Sequence, residues 1–516
     1  MFMEKLEKNQ KKETENDAIG YKTSGSKLVD LNFGIPSYRK SIDKDLFLQA
    51  LHENQNLALR WLLYLRDIDF GVGERKSFRE FLLVLIEENP VLALKFLKLV
   101  PIENFGRWDD IVFVAYKTTN KEVSDFLSKK LFNQLLADLQ GVDSNIPISL
   151  CAKWMPSINT SSNETRKMAK FFQKKFMLSV SSYRKMLSKL RAYLNVVETR
   201  ISKNDWDKVD YSRVPSKANI LYRDAFMKHD KERREEYLKE LSKGNTKINA
   251  QSMFLYDIVH AYFKSASVCD YNWYNKHERS ILVDETLEEL WKAQVKPGNF
   301  KNTLVVRDGS GSMTVGVDNS SSVTALDVAD SISLYCAENN SGEFKNKFIT
   351  FSRNAKLVDV SNCNTLADKL VELRKHDECE NTNIENVFDL ILDTAVRNNL
   401  KQEDLPANIL IISDLEFDMA TYDYFSSHSK KVTSTLFDKI SDKYAEYGYT
   451  LPKLIFWNVN SRTNTIPITE NHCGVILISG FSKSLVNMVM SSEINPYEAL
   501  VSELMKPRYD IIDKLD

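Results

Sequence analysis

The sequence predicts two architectures in one chain: an all-α domain followed by an α/β domain built on a doubly wound parallel sheet. Three observations predict it. From Asp45 onward apolar residues recur at helical spacing, few alternating β-branched runs occur before residue 300, and after Phe300 short β-rich runs alternate with helices. At roughly 150 residues per domain, a chain of 516 residues holds about two to four domains.

Taken in order, the opening stretch MFMEKLEKNQKKETENDA mixes both charge signs and lacks the apolar run of about 7 to 15 residues that a signal peptide needs. Residues 1–20 therefore read as a disordered charged tail. Residues 21–295 read as the α-helical domain, in which Leu57, Trp61, Leu62 and Leu65, then Phe78, Leu82 and Leu85, mark amphipathic helices. Breaks fall at DFGVGER (69–75), at Pro90 and at FGRWDD (105–110), so the helices are short and hairpin-connected. The pattern continues through FFQKKFMLSVSSYRKMLSKLRAYLNVVETRI to a helix around Tyr256 and Tyr262. Stacked helical pairs are the economical architecture, although no clean repeat period shows.

Residues 300–490 read as the α/β domain. Strand TLVVRD (Thr303 to Asp308) leads into a Gly/Ser loop and a helix from about Val323 to Glu338. Strand FKNKFITFS, helices around Leu366 to Leu373 and Ile384 to Ala395, and strand NILIIS (Asn408 to Ser413) follow. A helix near Thr435 to Tyr447, strands KLIFWNV and GVILIS, and a helical extension over 491–516 complete the pattern. Strands apolar on both faces, alternating with helices, indicate a parallel sheet covered on two sides, with functional groups at the carboxyl ends of its strands.

Composition narrows the function classes. With 70 Lys+Arg against 71 Asp+Glu the chain is nearly neutral, which excludes a globally basic nucleic-acid coat and an acidic tail. Gly 16 and Pro 12 are low enough to exclude collagenous and low-complexity classes. The six cysteines (Cys151, Cys269, Cys336, Cys363, Cys379 and Cys473) form no CxxC and read as reduced, intracellular thiols. No window approaches roughly 18 uninterrupted apolar residues, so no membrane is involved and a cytoplasmic location is the default. Oligomeric state has no signature in the sequence.

Directly after the first strand of the α/β domain stands Asp308-Gly309-Ser310-Gly311-Ser312, a DxSxS pattern that puts one carboxylate and two hydroxyls on one loop. Small hard oxygens suit Mg²⁺ or Mn²⁺, which tolerate one or two carboxylates and an incomplete protein shell. Thr382, opening a helix, and Asp414, ending strand NILIIS, stand on two further loops that a doubly wound fold brings to the same edge. A Gly/Ser loop before a helix is also an ordinary turn, and Thr382 and Asp414 also fit as helix caps.

This pattern resembles the von Willebrand factor A domain, whose metal-ion-dependent adhesion site (MIDAS) has the form DxSxS, then Thr, then Asp. The resemblance covers roughly residues 300–490 and implies a Rossmann-like fold. It implies Ser310, Ser312 and Thr382 as direct ligands, with Asp308 and Asp414 acting mostly through water. The family's third loop often reads Asp-Gly, whereas here Leu415 follows Asp414, and Glu416 and Asp418 add carboxylates nearby. Family sites of this kind usually bind a partner's carboxylate and do not catalyse. In the helical half, LRWLLYLRD with GVGER, FGRWDD, CAKWMP, SSYRKMLSKLR and YSRVPSKA are similar to the TROVE module. TROVE repeats joined to a von Willebrand A domain resemble the Ro ribonucleoprotein autoantigen family. The FWNVNSR and LISGFS segments point to its less characterised microbial, viral and plant relatives. The resemblance implies HEAT-like helical repeats in a ring closed by the metal-binding domain, with RNA at a basic surface or central hole.

Charge distribution bears on RNA independently of any family. Between Lys153 and Lys247 stand 23 Lys+Arg against 11 Asp+Glu. Lys174, Lys175, Arg184, Lys185, Lys189 and Arg191 lie within a few helical turns, interleaved with Phe171, Phe172, Tyr183 and Tyr193 as stacking surfaces for unpaired bases. The same pattern also describes amphipathic helices with a solvated charged face and an aromatic core.

Other motifs carry less. Gly71 and Gly73 lack the GK[ST] ending of a phosphate loop and read as a polar turn. The histidines form no HxxxH, and Cys151 reads as a buried helix residue, not a nucleophile. The expected function is that of a non-catalytic, RNA-binding ribonucleoprotein component. Its RNA is structured or has single-stranded ends, and its metal site recruits an acidic protein partner or helps close the ring. The alternatives are a metal-dependent interaction adaptor without RNA and, more weakly, a metal-dependent hydrolase with Glu416 or Asp418 as general base.

Overall fold

The computed structural model describes residues 10–250, 253–265, 281–294, 302–318, 321–377, 380–418, 435–490 and 492–515. Cys269 and Cys379 lie outside them; the described cysteines Cys151, Cys336, Cys363 and Cys473 are free thiols. No helix among the described residues is long and apolar enough to cross a membrane.

The chain forms two compact units, and both are discontinuous in sequence. One comprises Met1–Trp61 and Ala250–Lys506, the other Leu62–Asn249 and Pro507–Asp516. These cuts do not fall at residues 295–300, because the opening residues and the helix Leu255–Ser265 group with the unit that holds the sheet, Leu255–Ser265 packing on the helices Glu285–Lys292 and Ala325–Glu338.

In the first unit, β3 (Thr303–Asp308), β4 (Lys347–Phe351), β5 (Ala355–Asp359), β6 (Asn408–Ser413), β7 (Lys453–Asn458) and β8 (Val475–Ser479) form one sheet in the order β5-β4-β3-β6-β7-β8. All neighbours are parallel except β4 and β5, an antiparallel edge pair. Every residue of β3, β7 and β8 is buried, which is why these strands read as continuous apolar runs rather than alternating ones. Helices start where the sequence supplies reciprocal caps: the Thr324 hydroxyl accepts from Asp327 N at 3.1 Å while Asp327 accepts from Thr324 N at 3.0 Å, opening the helix Ala325–Glu338. Thr365 with Asp368 and Thr435 with Asp438 repeat the device.

Residues 10–20 are not a disordered tail. β1 (Lys11–Glu13) pairs antiparallel with β2 (Ile19–Tyr21), and the hairpin is stitched to distant loops by bridges Asp17↔Asp418 and Tyr21↔Ile466. Partners some 400 residues away satisfy its backbone groups, so local charge mixing carries no information about its order. Residues 1–9 lie outside the described ones.

The second unit is all helical among its described residues. It includes Lys76–Glu88, Pro90–Leu99, Trp108–Lys117, Lys121–Asp143, Asn163–Lys175, Val180–Tyr193, Ser216–His229 and Lys231–Ser242. The break at FGRWDD is a charge clamp: buried Asp110 accepts from Arg66 Nε and Arg79 Nε, each at 2.7 Å, and from the Arg107 amide at 3.0 Å. The GVGER segment is a turn, as expected; a Cβ at Gly71 would stand 2.1 Å from the Tyr64 carbonyl oxygen. Residues 507–515 complete this unit. Tyr509 Oη donates to Asp67 Oδ2 at 3.1 Å, Arg508 pairs with the same carboxylate, and the Tyr509 ring stacks on Phe105 at 6.1 Å.

Candidate metal centre and nucleic-acid interface

β3 and β6 are hydrogen-bonded neighbours with Arg307 opposite Ile412, so Asp308 and the Ser413-Asp414 pair leave the sheet side by side at its carboxyl edge. Asp308 is fully buried. Its Oδ1 accepts from Ser310 N at 2.9 Å, and its Oδ2 accepts from the Ser413 hydroxyl. The Ser310 and Ser312 hydroxyls are 3.0 Å apart. The third sequence-predicted loop is tied in through the backbone: Gly311 N donates to Glu380 O at 3.1 Å, and Asp418 N donates to Thr382 O at 3.0 Å. The structure thus brings together the loops that carry Asp308, Ser310, Ser312, Thr382 and Asp414.

Burial disfavours charge on both carboxylates here. Asp308 is held above the ordinary carboxylate range by desolvation, relieved in part by its serine donors and by Arg307. Asp414 is pushed up to about 7, first by burial and then by the charge of Asp308, against relief from Arg462 and the Ser312 hydroxyl. Arg462 Nη1 donates to Asp414 Oδ2 at 3.2 Å. Among the described residues no cluster of three or more His, Cys, Asp or Glu side chains could hold a metal, so any ion here would depend on hydroxyl as well as carboxylate oxygens. The Asp308 and Asp414 carboxylates and the Ser310 and Ser312 hydroxyls are hard oxygens of the kind a small divalent cation takes.

Directly after Asp414, Leu415 adopts φ 60°, a left-handed conformation uncommon for a branched side chain, with the side chain buried. Its amide donates to the Ser413 hydroxyl at 2.8 Å, which helps hold the turn. Glu416 is an anchor. Its Oε1 accepts from Arg462 N at 2.7 Å, Thr463 N at 2.8 Å and Ser461 Oγ at 3.1 Å, and its Oε2 from Glu15 N at 2.8 Å. A carboxylate surrounded by donors in this way is poorly placed to take a proton from water. Asp418 is half-buried, and desolvation raises it.

Below the sheet edge, Arg307 and Arg374 thread a buried charge network. Arg307 Nη2 lies 2.6 Å from Asp330, and Arg374 Nη2 lies 2.8 Å from Asp330 and 3.1 Å from Asp327. His260 Nδ1 lies 3.0 Å from Asp327. Sequence reasoning missed this network, the docking of the hairpin and Arg462, because the partners in each stand far apart in sequence.

In the helical unit, the six basic residues singled out by sequence divide in two. Lys174, Arg184 and Lys185 are exposed and make no ion pair with any described residue. Lys175 pairs with Asp125, and Lys189 with Asp143 at 2.6 Å. Arg191 is a structural clamp rather than a surface cation: it donates to Ala152 O at 2.9 Å, Met155 O at 2.6 Å and Ser157 Oγ at 2.7 Å. The stacking role expected of Phe172 and Tyr183 is corrected. Phe171, Phe172, Phe176 and Tyr183 form a contiguous ring cluster with Phe172 and Tyr183 fully buried, and Tyr183 donates to Pro156 O at 2.8 Å. Tyr193 is hydrogen-bonded to Ile146 O at 3.0 Å. A cation that sequence reasoning passed over is Lys153. It lines both a cavity of about 530 Å³, which also holds Trp154, and a neighbouring one of about 270 Å³, which also holds Arg200, Lys208 and Arg213.

Comparison with known proteins divides the chain near residue 300. Residues 302–508 match a family described as a domain of unknown function, DUF7788. Residues 114–299 match another, DUF2828. The chain is similar to a curated relative, uncharacterized protein L728 of Acanthamoeba polyphaga mimivirus. The two are 28% identical over 536 aligned positions, covering 95% of this chain and 86% of the relative. A crystal structure of the Deinococcus radiodurans Ro (RSR) protein aligns over 86% of this chain and 99% of its own, at 11% identity and a TM-score of 0.37.

Proposed function

We propose that this chain is a non-catalytic RNA-binding protein whose helical unit contacts phosphates and whose sheet unit carries a divalent-cation site of von Willebrand A type. The observation that carries the RNA reading is the exposed, unpaired trio Lys174, Arg184 and Lys185, set in a stretch with 23 basic and 11 acidic residues. Free cations at a surface supply the counterion-releasing contacts that dominate nucleic-acid affinity. The resemblance of the helical motifs to the TROVE module supports the same reading. Its test is to purify the protein with its native RNA and titrate binding across a salt series. For a single-stranded ligand, Lys174→Ala/Arg184→Ala/Lys185→Ala flattens the slope of log K against log salt by about 2, at ~0.7 per phosphate contact. An unchanged slope refutes the assignment.

In the sheet unit, Ser310, Ser312 and Thr382 would hold Mg²⁺ or Mn²⁺ directly, with Asp308 and Asp414 acting through water. The cation would supply a coordination position for an acidic partner's carboxylate. The mutual crowding of Asp308 and Asp414, which a cation would relieve, supports this reading. Ser310→Ala/Ser312→Ala should abolish Mn²⁺ binding measured by calorimetry while leaving RNA affinity intact. A second reading, an interaction adaptor without RNA, is favoured by the same donor cluster at the carboxyl edge of the sheet. It becomes the better account if no RNA co-purifies.

A further inference from the structure

Residues 10–22 have an arrangement that neither RNA nor metal binding requires. The segment runs along the loops after β6 and β7 and makes two kinds of contact with them. One is strand-like: Tyr21 N donates to Ile466 O at 2.7 Å, and Ile466 N donates to Tyr21 O at 2.9 Å. The other reads the loops themselves. Thr14 Oγ1 donates to Phe417 O at 2.7 Å, Asn16 Nδ2 donates to Glu416 O at 2.6 Å and reaches Thr382 Oγ1 at 3.4 Å, and Lys12 donates to Thr463 O. Arg462 holds Asp414 with one hand and the Glu15 carboxylate with the other.

The docking is almost wholly polar. Within the segment only Thr14, Ala18 and Gly20 are buried, while Glu15 and Asp17 are exposed. Net hydrogen-bond contributions are about 1 kcal/mol each, and little apolar area reinforces them, so the segment belongs to the easily opened end of the stability range. Its chemistry is nevertheless specific. A Cβ at Gly20 would stand 2.5 Å from the Ile466 carbonyl oxygen, so only glycine permits this approach, and the adjacent Glu15-Asn16 pair supplies one acid for Arg462 and one amide for the Glu416 and Thr382 oxygens.

We propose that the loop edge formed by residues 416–418 and 461–466 is a peptide-binding site, filled in cis by residues 10–22. A partner with the same chemistry, a hairpin-forming peptide with an acid–amide pair in its turn and a glycine at the Ile466 contact, reaches the Asp308/Ser310/Ser312/Asp414 loops by displacing that segment. The recognition is strand addition reinforced by side-chain readout. It is independent of the RNA reading and requires no bound cation.

The test uses the full chain, two variants and a fluorescein-labelled synthetic peptide of residues 10–22. Gly20→Val wedges the segment away from Ile466, and Glu15→Ala/Asn16→Ala removes its side-chain contacts without adding bulk. Tryptic cleavage after Lys12 and Lys22 should accelerate about tenfold in both variants as the segment opens more often. The labelled peptide should bind the Gly20→Val chain but not the wild type, and a peptide that itself carries Gly20→Val should bind neither. Unchanged cleavage in both variants overturns the proposal, as does a peptide that binds the wild type and the variant alike, or binds neither. If Gly20→Val lowers the thermal midpoint of the chain, the cleavage rate of Glu15→Ala/Asn16→Ala decides alone. No readout involves RNA or metal, so failure here leaves the proposed function standing.

Discussion

Asp110→Ala is the sharpest test of what holds the helical unit together. The carboxylate is 1% exposed and accepts from two guanidinium groups and one amide. Arg66, at 2% side-chain exposure, cannot turn to water when that carboxylate is removed, whereas Arg79, at 13%, keeps Asp109 at 2.6 Å. Breaking one partner of a buried pair costs about 3–5 kcal/mol, because it strands charge in a medium that solvates it poorly. In a unit of this size each kcal/mol moves the midpoint by roughly 2–4 °C, so the helical transition should fall by about 10 °C. Calorimetry, with far-UV circular dichroism to assign the helical transition, reads the effect. Asp110→Asn, which keeps an acceptor for one arginine, should lie between. The exposed pair Lys117–Glu164 is the control, and Glu164→Ala should leave the midpoint where it is. A loss from Asp110→Ala no larger than that control would refute the view that FGRWDD is a charge clamp.

Three further outcomes follow. Burial alone would raise Asp327, but the hydrogen bond from His260 and the charge of Arg374 hold it below the ordinary carboxylate value. Its stabilising contribution is therefore present above the unfolded pKa of about 3.9 and is lost as pH falls through the lower folded value; acid titration of Asp327→Asn should lack that component. Leu415→Gly removes about 1 kcal/mol of left-handed strain but also a buried leucine worth about 2–5 kcal/mol, so urea denaturation should show net destabilisation. Lys175→Ala and Lys189→Ala remove cations already paired with Asp125 and Asp143, so each should flatten the RNA salt slope less than Lys174→Ala or Lys185→Ala does.

The strands β3, β6, β7 and β8 are legible in the sequence because both of their faces are buried and the residues say so continuously. β5 is not. AKLVD is an edge strand with one fully buried residue, and its lysine and aspartate look like loop. The DGSGS loop is legible because its donors are consecutive in sequence. Arg462 and Asn16 are not, since nothing local connects them to Asp414 or Thr382. Aromatics among lysines on the helices Asn163–Lys175 and Val180–Tyr193 mislead in the opposite direction. The 3.6-residue period puts the rings inside and the charges outside, so closeness in sequence means opposite faces in space.

Residues 507–515 bear on how the chain is made. Asp67 finds Tyr509 and Arg508 only after more than 400 intervening residues have been synthesised, so during translation the helical unit waits with that carboxylate held by the Asp69 and Phe70 amides but without its arginine. The nascent helices must persist unfinished while the whole sheet unit emerges behind them, which makes premature termination near residue 506 a defect of the helical unit rather than of its neighbour. An affinity tag fused beyond residue 516 would sit beside that late-arriving piece, and one placed before residue 10 beside the hairpin.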